Sequence, residues 1–144
     1  MPIEVRVLNA ADEALVAATP PDVFDDPIDP AALALFLRDD RHHLIGALDG
    51  GALIGFVSAL HYVHPDKPAP EFWLNEVGVA ESHQGQGIAK RLMRETLTLA
   101  KTLGCNAAWV ITGADNAAAN ALYAAMPGAA PMRDQVMYTF PLDD

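Results

Sequence analysis

An α/β domain with a mixed sheet is what this sequence predicts, on three observations. Strand-like and helical segments follow in the order β α α β β β α β α β. Two apolar runs meet at Asp49-Gly50-Gly51, the composition of a hairpin turn, so part of the sheet is antiparallel. Residues 72–112 then read as a buried strand, a glycine turn, a long amphipathic helix and a further strand, and such a unit implies a parallel pair.

Ile3–Leu8 alternates apolar and polar residues, as a half-buried strand does. Asn9 caps Ala10–Ala18, a short helix stopped by Pro20-Pro21. Residues 20–30 (PPDVFDDPIDP) form an acidic, proline-rich loop. Asp29 caps a second helix, Ala31–Arg38, with Pro30 in its first turn. His43–Leu48 and Ala52–Tyr62 are the hairpin strands, and residues 64–70 are a second proline-rich loop. Phe72–Val79 (FWLNEVGV) is a mostly buried strand that runs into the glycine turn Ser82–Gly87. Ile88, Leu92, Leu99 and Leu103 mark one face of a helix over Ile88–Leu103, and Gly104 stops it. Asn106–Thr112 is a short strand, and Asn116 caps Ala117–Met126, which ends at Pro127-Gly128. Gln135–Phe140 (QVMYTF) is the expected last strand.

The 144 residues suit one domain spanning 1–144, large enough to bury roughly 70% of its unfolded surface. Nine basic against nineteen acidic residues give a formal charge of −10, the wrong sign for a nucleic-acid binder or an anionic membrane surface. A polycationic small molecule would be attracted instead. The N-terminal stretch has no basic segment followed by an apolar one, and no apolar run approaches 18 residues, so neither signal peptide nor membrane span is expected and the location is cytoplasmic. Cys105 is the single cysteine, which excludes an intrachain disulfide and a cysteine-rich zinc site. The five histidines show no metal-ligand spacing, so no metal is expected, and His42 and His43 fall on opposite faces of their strand.

A strand feeding a helix through glycines makes an anion site, because the first helical N–H groups lack partners and the helix dipole adds positive charge there. The turn is Gln84-Gly85-Gln86-Gly87-Ile88-Ala89, followed by Lys90 and Arg91. Two basic residues in a first turn oppose the dipole, which makes sense beside an anionic ligand; the plainer alternative is a tight turn carrying solvated charges. No GxxxxGK[ST] is present, and Gly85-Gln86-Gly87 lacks the third glycine of a dinucleotide fingerprint.

Val79–Met93 (VAESHQGQGIAKRLM) resembles the acetyl-CoA motif of the GNAT acetyltransferase superfamily, whose turn reads Q/R-x-x-G-x-G/A, and Asn116–Tyr123 (NAAANALY) resembles the family's N-x-x-A-x-x-L-Y helix. Within the superfamily, Glu76-Val-Gly-Val79, His83–Ala89 and Gln135-Val-Met-Tyr138 are similar to the aminoglycoside 3-N-acetyltransferases. The resemblance implies a GNAT fold: a mixed, mostly antiparallel sheet with one central parallel strand pair, flanked by about four helices. It implies acetyl-CoA as cosubstrate, held by Val77, Gly78, Val79, Gln84, Gly85, Gln86, Gly87, Ile88, Ala89, Lys90, Asn116 and Tyr123. The family's basic residue at the start of the turn is Gln84 here, so pyrophosphate binding leans on backbone N–H groups. The implied substrate is an aminoglycoside amine, the 3-amino group of deoxystreptamine, and a homodimer fits both the resemblance and a mean hydropathy of +0.14.

Amine acetylation needs a neutral, positioned amine, a donor for the developing oxyanion and an acid for the leaving thiolate. In the family picture a backbone N–H of Val77-Gly78-Val79 is the donor, and Gly78 within a bulky strand marks a bulge or a close approach. Tyr123 matches the family tyrosine that protonates the sulfur, or is a packed core tyrosine; Tyr138, where the resembled enzymes tend to have a histidine, is the competing candidate, and the resemblance implies a polar role for it facing the substrate cleft. Glu76 anchors the amine or accepts its proton, unless it simply faces outward from its strand. Asp25, Asp26 and Asp115, with the terminal Asp143 and Asp144, form a negative bowl, or else are solvated surface. An acetyltransferase for another amine or for a peptide N-terminus, and a non-catalytic acyl-CoA-binding domain, fit the same residues.

Overall fold

A computed structural model describes residues 2–143. The chain forms two compact units, residues 1–111 and 112–144. The first holds β1 (Glu4–Leu8), a 3-10 turn (Ala10–Asp12), α1 (Glu13–Ala17), α2 (Pro30–Arg38), β2 (His42–Asp49), β3 (Ala52–Tyr62), β4 (Glu71–Val79), a second 3-10 turn (Glu81–His83), α3 (Ile88–Thr102) and β5 (Ala108–Val110). The second holds α4 (Ala117–Ala124).

The sheet runs β1-β2-β3-β4-β5, antiparallel except for the parallel β4–β5 pair. The expected parallel pair is therefore present, but it stands at one edge, not at the centre. Among the described residues, 135–140 form no strand, which corrects the reading of Gln135–Phe140. Val136, Met137, Tyr138 and Phe140 are all exposed there. Strand propensity supplies only side-chain fit; without a paired backbone it does not make a strand.

Local rules account for the helix starts. Asn9 accepts from Ala11 N and forms a capping box with Asp12, although the helix it opens is a 3-10 turn running into five residues of α1. Asp29 accepts from Ala32 N, with Pro30 as the first residue of α2. On α3 the buried stripe is Ile88, Leu92, Met93, Thr96 and Ala100, while the expected Leu99 and Leu103 are only partly covered. Trp73 and Trp109 stack at 5.4 Å and hold β5 in register on β4, a pairing worth about 0.5–1.5 kcal/mol.

The two sheet faces do different work. Gly55, on the face shared with Val57 and Ala59, looks onto Leu92 of α3. On the other face Phe56 stacks on Phe24 at 4.0 Å, beneath the loop between α1 and α2. His42 and His43 separate as expected: His42 tilts against Phe36 of α2, and His43 stacks on buried Phe72. Among the described residues no helix is long and apolar enough to cross a membrane.

Candidate active site

β4 carries both halves of the site. β5 pairs with it only over Phe72–Leu74, so the backbone of residues 75–79 has no strand partner on that side. Ala80 N–H donates toward β3, to Ile54 O at 2.7 Å. Backbone polar groups alternate sides along a strand, so the N–H groups of Val77 and Val79 point away from β3. Val79 O confirms the sense, accepting from Gln84 Nε2 at 3.2 Å. Gln84 thus ties the glycine turn back to the strand.

In the turn Gly85 and Gly87 have φ of 77° and 76°, a region that side chains resist. The space where their Cβ atoms would stand is open, and Gly87 begins α3 with no side-chain cap. The first N–H groups of a fifteen-residue helix, at Ile88, Ala89 and Lys90, are therefore free for an anion. Gln86 is exposed on the same turn, and among the described residues Lys90 makes no ion pair. Arg91 is not available to a ligand in the same way, since its guanidinium donates to Ile3 O at 2.8 Å. An open strand edge, a turn open at its two glycines and an uncapped helix fit the amide-rich arm and pyrophosphate of a coenzyme A thioester.

The sequence did not point to the struts around this turn. His83 Nε2 lies 2.7 Å from Asp49 Oδ2, and Ser82 Oγ lies 2.7 Å from His83 Nδ1, pinning the turn to the β2–β3 hairpin. Glu81 N donates to Asp22 Oδ2 at 2.9 Å, pinning it to the acidic loop.

On the other side of the site lies a cleft of about 550 Å³ between the sheet, α2 and the 24–29 loop. A bulge builds it. Ser58 pairs with Glu76 and Ala59 with Leu74, leaving Asn75 as an extra residue on β4. Were Asn75 paired in a regular strand, the period of two would turn Glu76 to the face of Leu74, which is 2% exposed. The bulge instead sends both Asn75 and Glu76 to the cleft wall. Gly78 shows the expected close approach, since an added Cβ would meet Val23 O at 2.6 Å and the Phe56 ring at 2.7 Å. That contact seats the loop bearing Asp25 and Asp26. Glu76 and those two aspartates converge, and burial followed by their charges raises the Glu76 carboxyl above its ordinary value.

Ser58 and His42 also line the cleft and were not singled out from the sequence. Ser58 is 7% exposed, and its Oγ has no hydrogen-bond partner among the described residues. A lone hydroxyl within the apolar run ALIGFVSALHY was the available signal.

In the second unit Asn116 Oδ1 accepts from Ala119 N at 3.1 Å and caps α4. Tyr123 is half-buried on that helix, and burial raises its phenol, which therefore keeps its proton. Asp115 is exposed, and Tyr138 is 78% exposed outside any strand. Asp144 lies outside the described residues. Burial raises the Cys105 thiol, an unreactive state. Among the described residues no group of three or more His, Cys, Asp or Glu side chains is arranged to hold a metal ion.

A mixed sheet with an open strand edge beside a glycine turn is the geometry in hand, and comparison with known proteins gives it a family. Residues 8–126 match the Acetyltransferase (GNAT) family, and the chain belongs to it. It is 33% identical over 124 residues to the N-alpha-acetyltransferase RimI of Mycobacterium tuberculosis, covering 85% of this chain and 75% of that protein. The fold is similar to an aminoglycoside acetyltransferase from an uncultured soil metagenomic sample, solved with trehalose, at a TM-score of 0.85 and 18% identity over 98% of this chain and 97% of that one. It is also similar to the aminoglycoside N-acetyltransferase AAC(6')-Iy solved with CoA, at a TM-score of 0.76 and 19% identity over 98% and 96% of the two chains. At such identities these two likenesses are of fold.

Proposed function

We propose that the protein transfers an acetyl group from acetyl-CoA to an amine of a polycationic small molecule, an aminoglycoside, by direct attack of that amine. The observation that carries this reading is the convergence of Glu76, Asp25 and Asp26 on a cleft in the same strand as the open edge. Acetyl-CoA supplies an activated acetyl thioester. The turn from Gln84 to Lys90 holds its phosphates, and the outward N–H groups of Val77 and Val79 are donors for a carbonyl oxygen gaining charge. Asp25 and Asp26 draw in the ammonium form of the acceptor. Glu76, with its raised carboxyl, takes the proton that frees the nitrogen lone pair. Tyr123, the tyrosine of the Asn116–Tyr123 motif, is assigned the proton that the leaving thiolate takes up.

A second reading, acetylation of a peptide N-terminus, is favoured by the 33% identity to an N-alpha-acetyltransferase. Thiol release from acetyl-CoA, followed with gentamicin- and kanamycin-type aminoglycosides, spermidine and a short peptide, separates the two. Release with an aminoglycoside, and a product whose NMR spectrum places the acetyl group on the deoxystreptamine 3-nitrogen, is the expected result. Release with the peptide alone moves the assignment to N-terminal acetylation. Thermal stabilisation by acetyl-CoA with no release from any amine overturns the enzymatic reading.

A further inference from the structure

We propose that Ser58 is a specificity-determining residue of the acceptor cleft, selecting amines that carry a neutral oxygen, hydroxyl or ether, beside the reacting nitrogen. The inference deepens the reading above and rests on the cleft being the acceptor site. A buried hydroxyl without a partner is costly, so the orphaned Ser58 Oγ calls for an occupant. Ser58 stands directly opposite Glu76 across β3 and β4, so the two side chains share the cleft face, with Cβ atoms roughly 4.5–5.5 Å apart. A molecule whose nitrogen is held at the Glu76 carboxylate reaches Ser58 with an atom two or three bonds from that nitrogen.

The surroundings select the chemistry of that atom. The acids Asp25, Asp26, Asp29 and Glu76 stand on the loop, the start of α2 and β4, whereas Ser58 is flanked by Leu44 on β2 and Leu60 on β3, with Val16 and Leu33 across the cleft. Placing a second charge among these apolar groups is expensive, and placing a neutral oxygen that accepts from Ser58 is not. His42 pairs with Leu60 and adds a second polar atom to the same wall. Its Nδ1 is buried without a hydrogen bond; the nearest anion, Asp39 Oδ2, lies 3.4 Å away and out of line. Amino sugars and aminocyclitols carry such an oxygen on the carbon next to the amine; linear polyamines do not.

The test compares trans-2-aminocyclohexanol with cyclohexylamine, which share charge and ring and differ by one hydroxyl. Calorimetric binding and thiol-release kinetics are measured for the wild type, Ser58→Ala and Ser58→Thr, with melting temperatures to verify folding. The wild type should favour the amino alcohol by about tenfold, the worth of one hydrogen bond. Ser58→Ala should abolish that preference through a raised KM for the amino alcohol, and Ser58→Thr should restore it. Equal losses for both amines, or no preference in the wild type, overturn the proposal. Hydroxyl-dependent binding that Ser58→Ala removes, without thiol release from any amine, supports Ser58 while sinking the acetyl-transfer reading. Thiol release without a hydroxyl preference does the reverse.

Discussion

The turn at residues 84–90 and the cleft around Ser58 and Glu76 adjoin the same strand but are made of different materials. The turn offers main-chain N–H groups, and Gln84 ties it to Val79 O. The cleft offers side chains, and they come from β2, β3, β4, α1, α2 and the loop before α2. A backbone site binds what every substrate of the enzyme shares, whereas a side-chain site can be altered one group at a time. The coenzyme and acceptor functions should therefore separate under mutation.

Glu76→Gln should give the largest separation. If Glu76 is the base proposed above, its loss should lower kcat/KM for the amine by about 10²–10⁴-fold, with acetyl-CoA affinity unchanged by calorimetry. An equal loss of coenzyme affinity would show that the two regions act as one.

Gly78→Ala probes the point where the regions meet. Its Cβ would strike Val23 O, a backbone atom that cannot swing aside, so the loop must lift. Urea unfolding should register a loss of about 1–3 kcal/mol, and the KM for the amine should rise. Unchanged stability and KM would mean that Gly78 does not seat the acidic loop.

Gly87→Ala tests the turn alone. Open space surrounds the position, so only the left-handed φ of 76° opposes the change, at a cost of roughly 1–2 kcal/mol. Acetyl-CoA binding should weaken by about tenfold while the KM for the amine holds, since 1.4 kcal/mol corresponds to a factor of ten.

The Asp25→Asn, Asp26→Asn double variant should show the smallest effect, a rise of about threefold in KM for a polycation that fades in high salt. It also carries a pH signature. The two aspartates help hold the Glu76 carboxyl above its ordinary value, and Glu76 must be deprotonated to accept a proton. Their removal lowers that pKa, so the acidic limb of the kcat/KM profile should move to lower pH. A limb that stays in place would assign it to a group other than Glu76.

Much of the fold and the whole turn motif were legible in the sequence because they depend on residues close in the chain. Asn9, Asp29 and Asn116 cap the segments that they precede, Gly104 stops α3, and the glycines of Gln84–Gly87 can be read as a phosphate turn because φ is a local property. Helical period marked the Ile88 and Leu92 face of α3. The same reasoning failed at Gln135–Phe140, whose strand-like pattern forms no strand, because a strand is completed by a neighbour that its own residues do not specify.

The acid loop and Glu76 were visible as charges expected to serve one bowl, but the device that brings them together was not. Strand alternation does not reveal the Asn75 bulge, and one residue decides whether Glu76 faces α3 or the cleft. Ser58 stands out only once its pairing sets it opposite Glu76 with nothing to bond among the described residues. The sequence by itself determined the backbone devices, the turn, the caps and the helix that bears them, since these are fixed by torsions and near neighbours. Only the tertiary structure decided which carboxylates share a cleft and which hydroxyl lies at its wall, because register, bulges and loop seating are settled by contacts between residues far apart in the chain.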